Sequence, residues 1–149
     1  MNLTSLAALG GIIFGTAGLV LGVMNYLRDR PRIVVRLQWD MRPNNIPGLD
    51  PQKKYGIVTI TNAGRRAVFI ENASLRLPTD SKKWALLLDS FGNRKLAEGD
   101  APIFYPVLQE DLRAHAQKWR RVRAVVSDST GKKYVSRKVS KARIPSWAA

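Results

Sequence analysis

An unbroken apolar run extends from Leu3 to about Leu27, and residues 1–27 hold no charged side chain. A helix needs roughly 20 apolar residues to cross the hydrocarbon core of a bilayer, so this run is long enough to span with some tilt. A soluble core helix would keep a polar face. Here Thr16 is the only side chain between Leu6 and Val23 that carries a polar atom. A cleaved signal peptide is the competing reading. It would need a basic start, a shorter apolar stretch and a small-x-small cleavage site. Nothing basic precedes this run, and Met24, Asn25, Tyr26 and Leu27 stand where the cleavage site would be. The pattern therefore predicts a transmembrane helix. Its basic stop is Arg28-Asp29-Arg30-Pro31-Arg32. Pro31 cannot continue a helix interior, and it pushes Arg30 toward an extended conformation. The helix is expected to end near Asp29 or Arg30, with residues 1–30 forming span and stop.

The small residues of the run fall on one stripe. Thr4, Ala8, Gly11, Gly15, Gly18, Gly22 and Asn25 follow alternating steps of four and three, the period of a left-handed helix–helix seam. Membrane helices associate by close backbone approach, which small residues permit. These seven residues are read as a packing face for a helix of a second copy or of another protein. Leu9, Ile12, Ile13, Leu19, Val20 and Val23 are left to face lipid. The alternative is that glycine is simply common in membrane helices.

After the stop the period changes to two. Ile33, Val35, Leu37 and Trp39 share one face of a strand, and Gly56, Val58 and Ile60 alternate with Tyr55, Ile57, Thr59 and Thr61. Further strand signals lie at 68–70, 74–77, 103–105, 122–126 and 134–139. Asp128-Ser129-Thr130-Gly131 reads as a hairpin loop. One helix is expected over about 106–118, with Leu108, Leu112 and His115 on one face and Glu110-Asp111 at its dipole-favoured start. It would cross between two sheets. Residues 40–54 read as a long exposed loop, and 81–94 as either strand or helical turn. Short strands without helix–strand alternation predict a mainly β fold: residues 31–149 as one antiparallel sandwich with one short helix.

Several turns carry a resemblance: the Arg-Asp-Arg-Pro stop, Thr61-Asn62-Ala63-Gly64-Arg65-Arg66-Ala67-Val68, Leu96-Ala97-Glu98-Gly99-Asp100 and Asp128-Ser129-Thr130-Gly131-Lys132. With the span, they resemble uncharacterised single-pass bacterial or phage membrane proteins with an immunoglobulin-like sandwich. The resemblance covers most of the chain and implies a fold, since its motifs are turns. It also brings in a second functional expectation, a phage- or prophage-encoded effector acting on the host membrane in lysis or exclusion.

Charge changes the picture next. All 25 Lys and Arg and all 11 Asp and Glu lie after Leu27, so the chain beyond the apolar run carries the whole net charge of +14. Lys/Arg bias about a span sets its orientation. Arg28, Arg30, Arg32 and Arg36 follow the span and no basic side chain precedes it. The expectation is a single-pass inner-membrane protein with its N-terminus outside and its domain in the cytoplasm. The residues read as a surface for the membrane or a partner are Arg28, Arg30, Arg32, Arg36, Arg65, Arg66, Arg120, Arg121, Arg123, Lys132 and Lys133. Anionic lipid is the first expected partner, and an acidic protein surface the second. Nucleic acid is disfavoured because no recognised binding motif accompanies the charge.

Catalytic patterns are absent. The chain has no Cys and one His, which removes thiolate chemistry. His115 is read as structural, and no Gly-x-Ser-x-Gly turn is present. Glu98/Asp100 and Glu110/Asp111 read as a turn and a helix start. Ser129-Thr130-Gly131-Lys132 lacks the upstream Gly and the following Ser/Thr of a phosphate loop. No cofactor or metal is expected. The expected role is a non-enzymatic interaction module, an accessory or subunit of a membrane assembly.

Overall fold

The computed structural model describes residues 3–44, 46–78, 84–139 and 144–149. Helix α1 (Leu3–Arg28) is followed by β1 (Ile33–Met41), β2 (Tyr55–Asn62), β3 (Val68–Leu77), β4 (Trp84–Leu96) and β5 (Ile103–Leu108). A 3-10 helix (Gln109–Arg121) then leads to β6 (Arg123–Asp128) and β7 (Lys133–Val135). The apolar side chains described in α1 stay exposed: Phe14 is 80 % and Leu19 70 % exposed. The segment Gly10–Arg28 is long and apolar enough to cross a membrane and buries nothing against the rest of the protein. The helix stops slightly earlier than the position of Pro31 alone suggests.

The strands form two antiparallel sheets, ordered β1-β2-β5 and β4-β3-β6-β7. Their inner faces share one core. Val35, Val58, Ile60, Ile103 and Val107 from the first sheet meet Val68, Ile70, Leu75, Leu96 and Val126 from the second. The architecture is therefore a mainly β sandwich. The inward residues of β1 and β2 are the alternating sets expected from the sequence. In β3 the inward parity changes from Val68 and Ile70 to Ala73 and Leu75. The register slips between Ile70 and Asn72 against both neighbouring strands. One extra residue in a period-two strand flips every later side chain unless a bulge absorbs it. The two short strand signals at 68–70 and 74–77 are thus one bulged strand.

Three other expectations are refined. Residues 84–94 belong to strand β4, while 81–83 lie outside the described residues. The helix begins at Gln109, because Val107 and Pro106 pair with Gly56 and Ile57 as part of β5. It is 3-10 in type, with a non-helical Lys118 within it, and it crosses from one sheet to the other with Leu112 and Trp119 buried. The last strand is shorter than 134–139 and ends at Val135, although the Ser136 amide still donates to Ala124 at 2.8 Å.

The C-terminal residues close one end of the core. Trp147 is buried and meets Trp39 edge-on, with ring centroids 5.3 Å apart. The Trp39 ring lies where a side chain at 56 would sit, so only Gly56 fits beneath it. The Asp40 carboxylate accepts the Ser146 amide at 3.0 Å and also its hydroxyl. This end is about 30 Å from the helix exit, at roughly 3.3 Å per residue along β1.

At the other end the chain leaving α1 is fastened to the β2–β3 turn. The Asn62 side chain is buried and makes an Asx turn: its Oδ1 accepts the Gly64 amide at 2.9 Å. Its Nδ2 donates to the carbonyls of Arg66 (2.8 Å) and Leu96 (2.9 Å). The Ala63 amide donates to Arg32 at 2.8 Å. A Cβ on Gly64 would overlap the Arg30 carbonyl oxygen and lie 2.6 Å from the Arg32 amide nitrogen. Backbone on both sides leaves no soft atom to move. Gly64→Ala is therefore expected to cost about 1–3 kcal/mol by overpacking, read by urea denaturation of the full chain. Unchanged stability would show that the exit segment is not packed on this turn.

Candidate anion-binding surface

The topology sorts the expected surface residues by end. Arg28 closes α1, and Arg30 stacks over Tyr26 at 5.0 Å. Arg65 and Arg66 are exposed on the turn that holds Arg32. The β6–β7 hairpin reaches the same end, since Ser129 donates to the Phe69 carbonyl at 2.9 Å. Lys132 and Lys133 are exposed there. Arg36 lies further along β1, in a groove of about 480 Å³ that also takes in Arg32, Arg137 and Lys138. Arg120, Arg121 and Arg123 are not with the first group. They lie at the far end of β3, beside Arg76 and Lys138, in a concave site of about 430 Å³. The residues expected to form a surface for the membrane or a partner thus fall at two basic ends joined along the β1 side.

Arg76 and Lys138 were not among the residues singled out from sequence. Arg76 is isolated between Leu75 and Leu77 and belongs to no charge run. Its register partner on β6 is Arg123. Only the β3–β6 pairing, at a sequence separation of 47 (76 to 123), brings the two together.

At the end where α1 joins the domain, a buried carboxylate orders the β6–β7 hairpin. Asp128 is buried, yet its carboxylate is fully engaged. Oδ1 accepts the Thr130 amide (2.9 Å), the Thr130 hydroxyl (2.6 Å) and the Lys132 amide (3.0 Å), while Oδ2 accepts the Tyr134 hydroxyl (2.9 Å). Burial alone would raise its pKa. The hydrogen bonds outweigh that and hold it below the ordinary 3.8. Burial, the bond to Asp128 and the Asp128 charge together push the Tyr134 phenol up to about 12. Gly131, with φ +80°, supplies the left-handed residue the loop needs. Lys132 in turn lies over the Tyr134 ring at 5.2 Å.

The helix stripe is intact and open. Thr4, Ala8, Gly11, Gly15, Gly18, Gly22 and Asn25 all lie within α1. Nothing lies within 4 Å of a Cβ built on any of the four glycines. Among the carboxylates once weighed as pairs, Asp100 accepts the Ala97 amide at 2.6 Å as a turn. Glu110 pairs with Lys53 at 3.5 Å, an exposed contact of little energetic weight. Among the described residues no three His, Cys, Asp or Glu side chains come together to hold a metal ion. A third concavity, of about 450 Å³, lies on the outer face of the first sheet, lined mainly by apolar side chains such as Met41, Ile46, Ile57 and Phe104. Neither the protein-family models nor the curated proteins compared with this sequence match it.

The Asp128–Tyr134 bond has a defined pH signature. Asp128 has a lowered folded pKa, so its contribution is present above pH 3.8 and lost as pH falls through the folded value. Tyr134 has a raised one, so its contribution is complete below pH 10 and lost as pH rises toward about 12. Tyr134→Phe is expected to cost about 1.5–3 kcal/mol at pH 7, the range for a hydrogen bond to a charged group. The gap from the parent protein should narrow as pH rises from 10 to 12. Urea midpoints at pH 7, 10 and 11.5 check this; a gap constant with pH would mean the bond carries no such linkage.

Proposed function

We propose that this protein is a membrane-anchored, non-enzymatic interaction module, an accessory or subunit of a membrane assembly. In this reading α1 crosses the inner membrane once, with its N-terminus outside. The basic sandwich then lies in the cytoplasm. The observation that carries the reading is the fastening of the exit segment to the Asn62–Gly64 turn. It puts Arg28, Arg30, Arg32, Arg65, Arg66 and Lys132 at the end of the domain from which the span emerges. Cations there are within reach of an anionic leaflet, where each Lys or Arg contributes about 1 kcal/mol. Screening limits that reach to roughly 8–10 Å. The end carrying Arg120, Arg121 and Arg123 lies beyond it when the domain stands on its tether.

The open glycine face of α1 supports a second attachment, to the span of another copy or of a different subunit. Close backbone approach across Gly11, Gly15, Gly18 and Gly22 would supply the packing.

Trypsin cleavage of the full chain in nanodiscs tests the leaflet contact directly. With anionic lipid, cleavage after Arg65 and Arg66 should slow several-fold relative to neutral phosphatidylcholine, while cleavage after Arg120 and Arg121 keeps its rate. Added salt should reverse the protection. Equal rates in both lipids would overturn the leaflet contact. For the span, Gly15→Leu with Gly18→Leu should abolish helix association in a membrane two-hybrid assay, and retained association would remove the stripe as a packing face.

A further inference from the structure

The far end of the sandwich concentrates positive charge in a way that costs stability. Arg76 and Arg123 are direct cross-strand partners. They share the outer face of their sheet, because the adjoining partners Leu75 and Ala124 both fill the core. Like charges placed directly opposite one another destabilise a sheet. Arg120 and Arg121 end the 3-10 helix at the same place, and Lys138 completes the group. The helix C-terminus gives Arg120 and Arg121 a local reason to be cationic. It gives none to Arg76 or Lys138, which arrive from other parts of the chain.

Among the described residues these five cations line the concave site, with no described carboxylate or apolar side chain beside them. Among the described residues none of the five is ion-paired. One is already oriented: an Arg123 guanidinium nitrogen donates to the Ser136 carbonyl at 2.8 Å. Fixing a guanidinium before binding reduces the ordering cost of recognition.

We infer that this site binds a compact, multiply charged phosphate group, either the di- or triphosphate of a soluble small molecule or a phosphorylated lipid headgroup. Four arginines offer planar forks that suit bidentate phosphate contacts. The volume falls in the small-ligand range of roughly 300–1,000 Å³. An acidic peptide would need pockets for alternate side chains as well as charge, and this lining has none. A nucleic-acid strand would call for aromatic stacking surfaces along a basic track, and among the described residues no aromatic lines the site. The inference does not depend on how the span is oriented.

The test is calorimetric titration of the full chain, held in phosphatidylcholine nanodiscs, with sodium tripolyphosphate. Tripolyphosphate should bind, and orthophosphate more weakly. Arg76→Gln combined with Arg121→Gln should lower tripolyphosphate affinity roughly tenfold or more, the loss expected for removing charged hydrogen bonds. Arg65→Gln with Arg66→Gln, at the opposite end of the domain, should lower it far less. Arg76→Gln alone should also raise the melting temperature by relieving its opposition to Arg123, which separates lost binding from lost folding. Displacement of tripolyphosphate by cardiolipin-containing vesicles would assign the phosphate to a lipid, and failure to displace it to a soluble ligand. No binding, or equal affinity in the Arg76/Arg121 variant, would overturn the inference. So would a single-stranded oligonucleotide that binds more tightly and loses affinity equally with either pair of substitutions.

Discussion

One buried amide side chain connects everything this protein brings together. Asn62 accepts from the Gly64 amide and donates to the carbonyls of Arg66 and Leu96. Through those bonds the end of β2, the entry to β3 and the end of β4 become one structure, so the two sheets are joined where the chain passes between them. The turn shaped in this way is narrow enough for residues 30–32 to lie across Gly64. An Asn with its partners intact satisfies three backbone groups at the edge of the core. Leaving such groups buried and unpaired costs about 1–3 kcal/mol each. The same bonds decide which end of the sandwich faces the helix exit, and hence which arginines are near it.

Charge is distributed against the interest of stability. A chain with net +14 repels itself. The exposed Lys53–Glu110 ion pair offsets little of it. What holds the domain together is the shared apolar core, closed at its far end by Trp39 and Trp147. The buried carboxylate of Asp128 spends its hydrogen bonds on its own hairpin and not on neutralising an arginine. Cations left unpaired at both ends are therefore available to anions outside the chain. The two ends are separated by more than a screening length, so each acts on its own surroundings.

The strand edges and turns show how local chemistry serves that arrangement. The bulge near Glu71 lets β3 keep apolar residues inward on both sides of a parity change. Without it, Arg76 would point toward the core and Leu75 toward solvent. Burial of an unpaired guanidinium is far more costly than a local break in a ladder. The bulge is thus what places Arg76 on the outer face opposite Arg123.

The sequence by itself determined the helix, its end near Pro31, the alternating faces of β1 and β2, the hairpin at 128–131 and the sandwich class. These follow from local rules: apolar length, a period of two, and turn residues that need no distant partner. It also showed that all charge lies beyond the apolar run. It could not assign 84–94 to a strand, because a short apolar run suits strand and helix equally until a pairing partner is known. It placed Pro106 in a helix, since nothing local reveals that β2 offers Ile57 as a partner. The tertiary structure alone decided that Arg120, Arg121 and Arg123 stand apart from Arg65 and Arg66, and that Arg76 joins them. Proximity between residues distant in sequence is fixed by strand register and core packing, and neither is written in the spacing of charges along the chain.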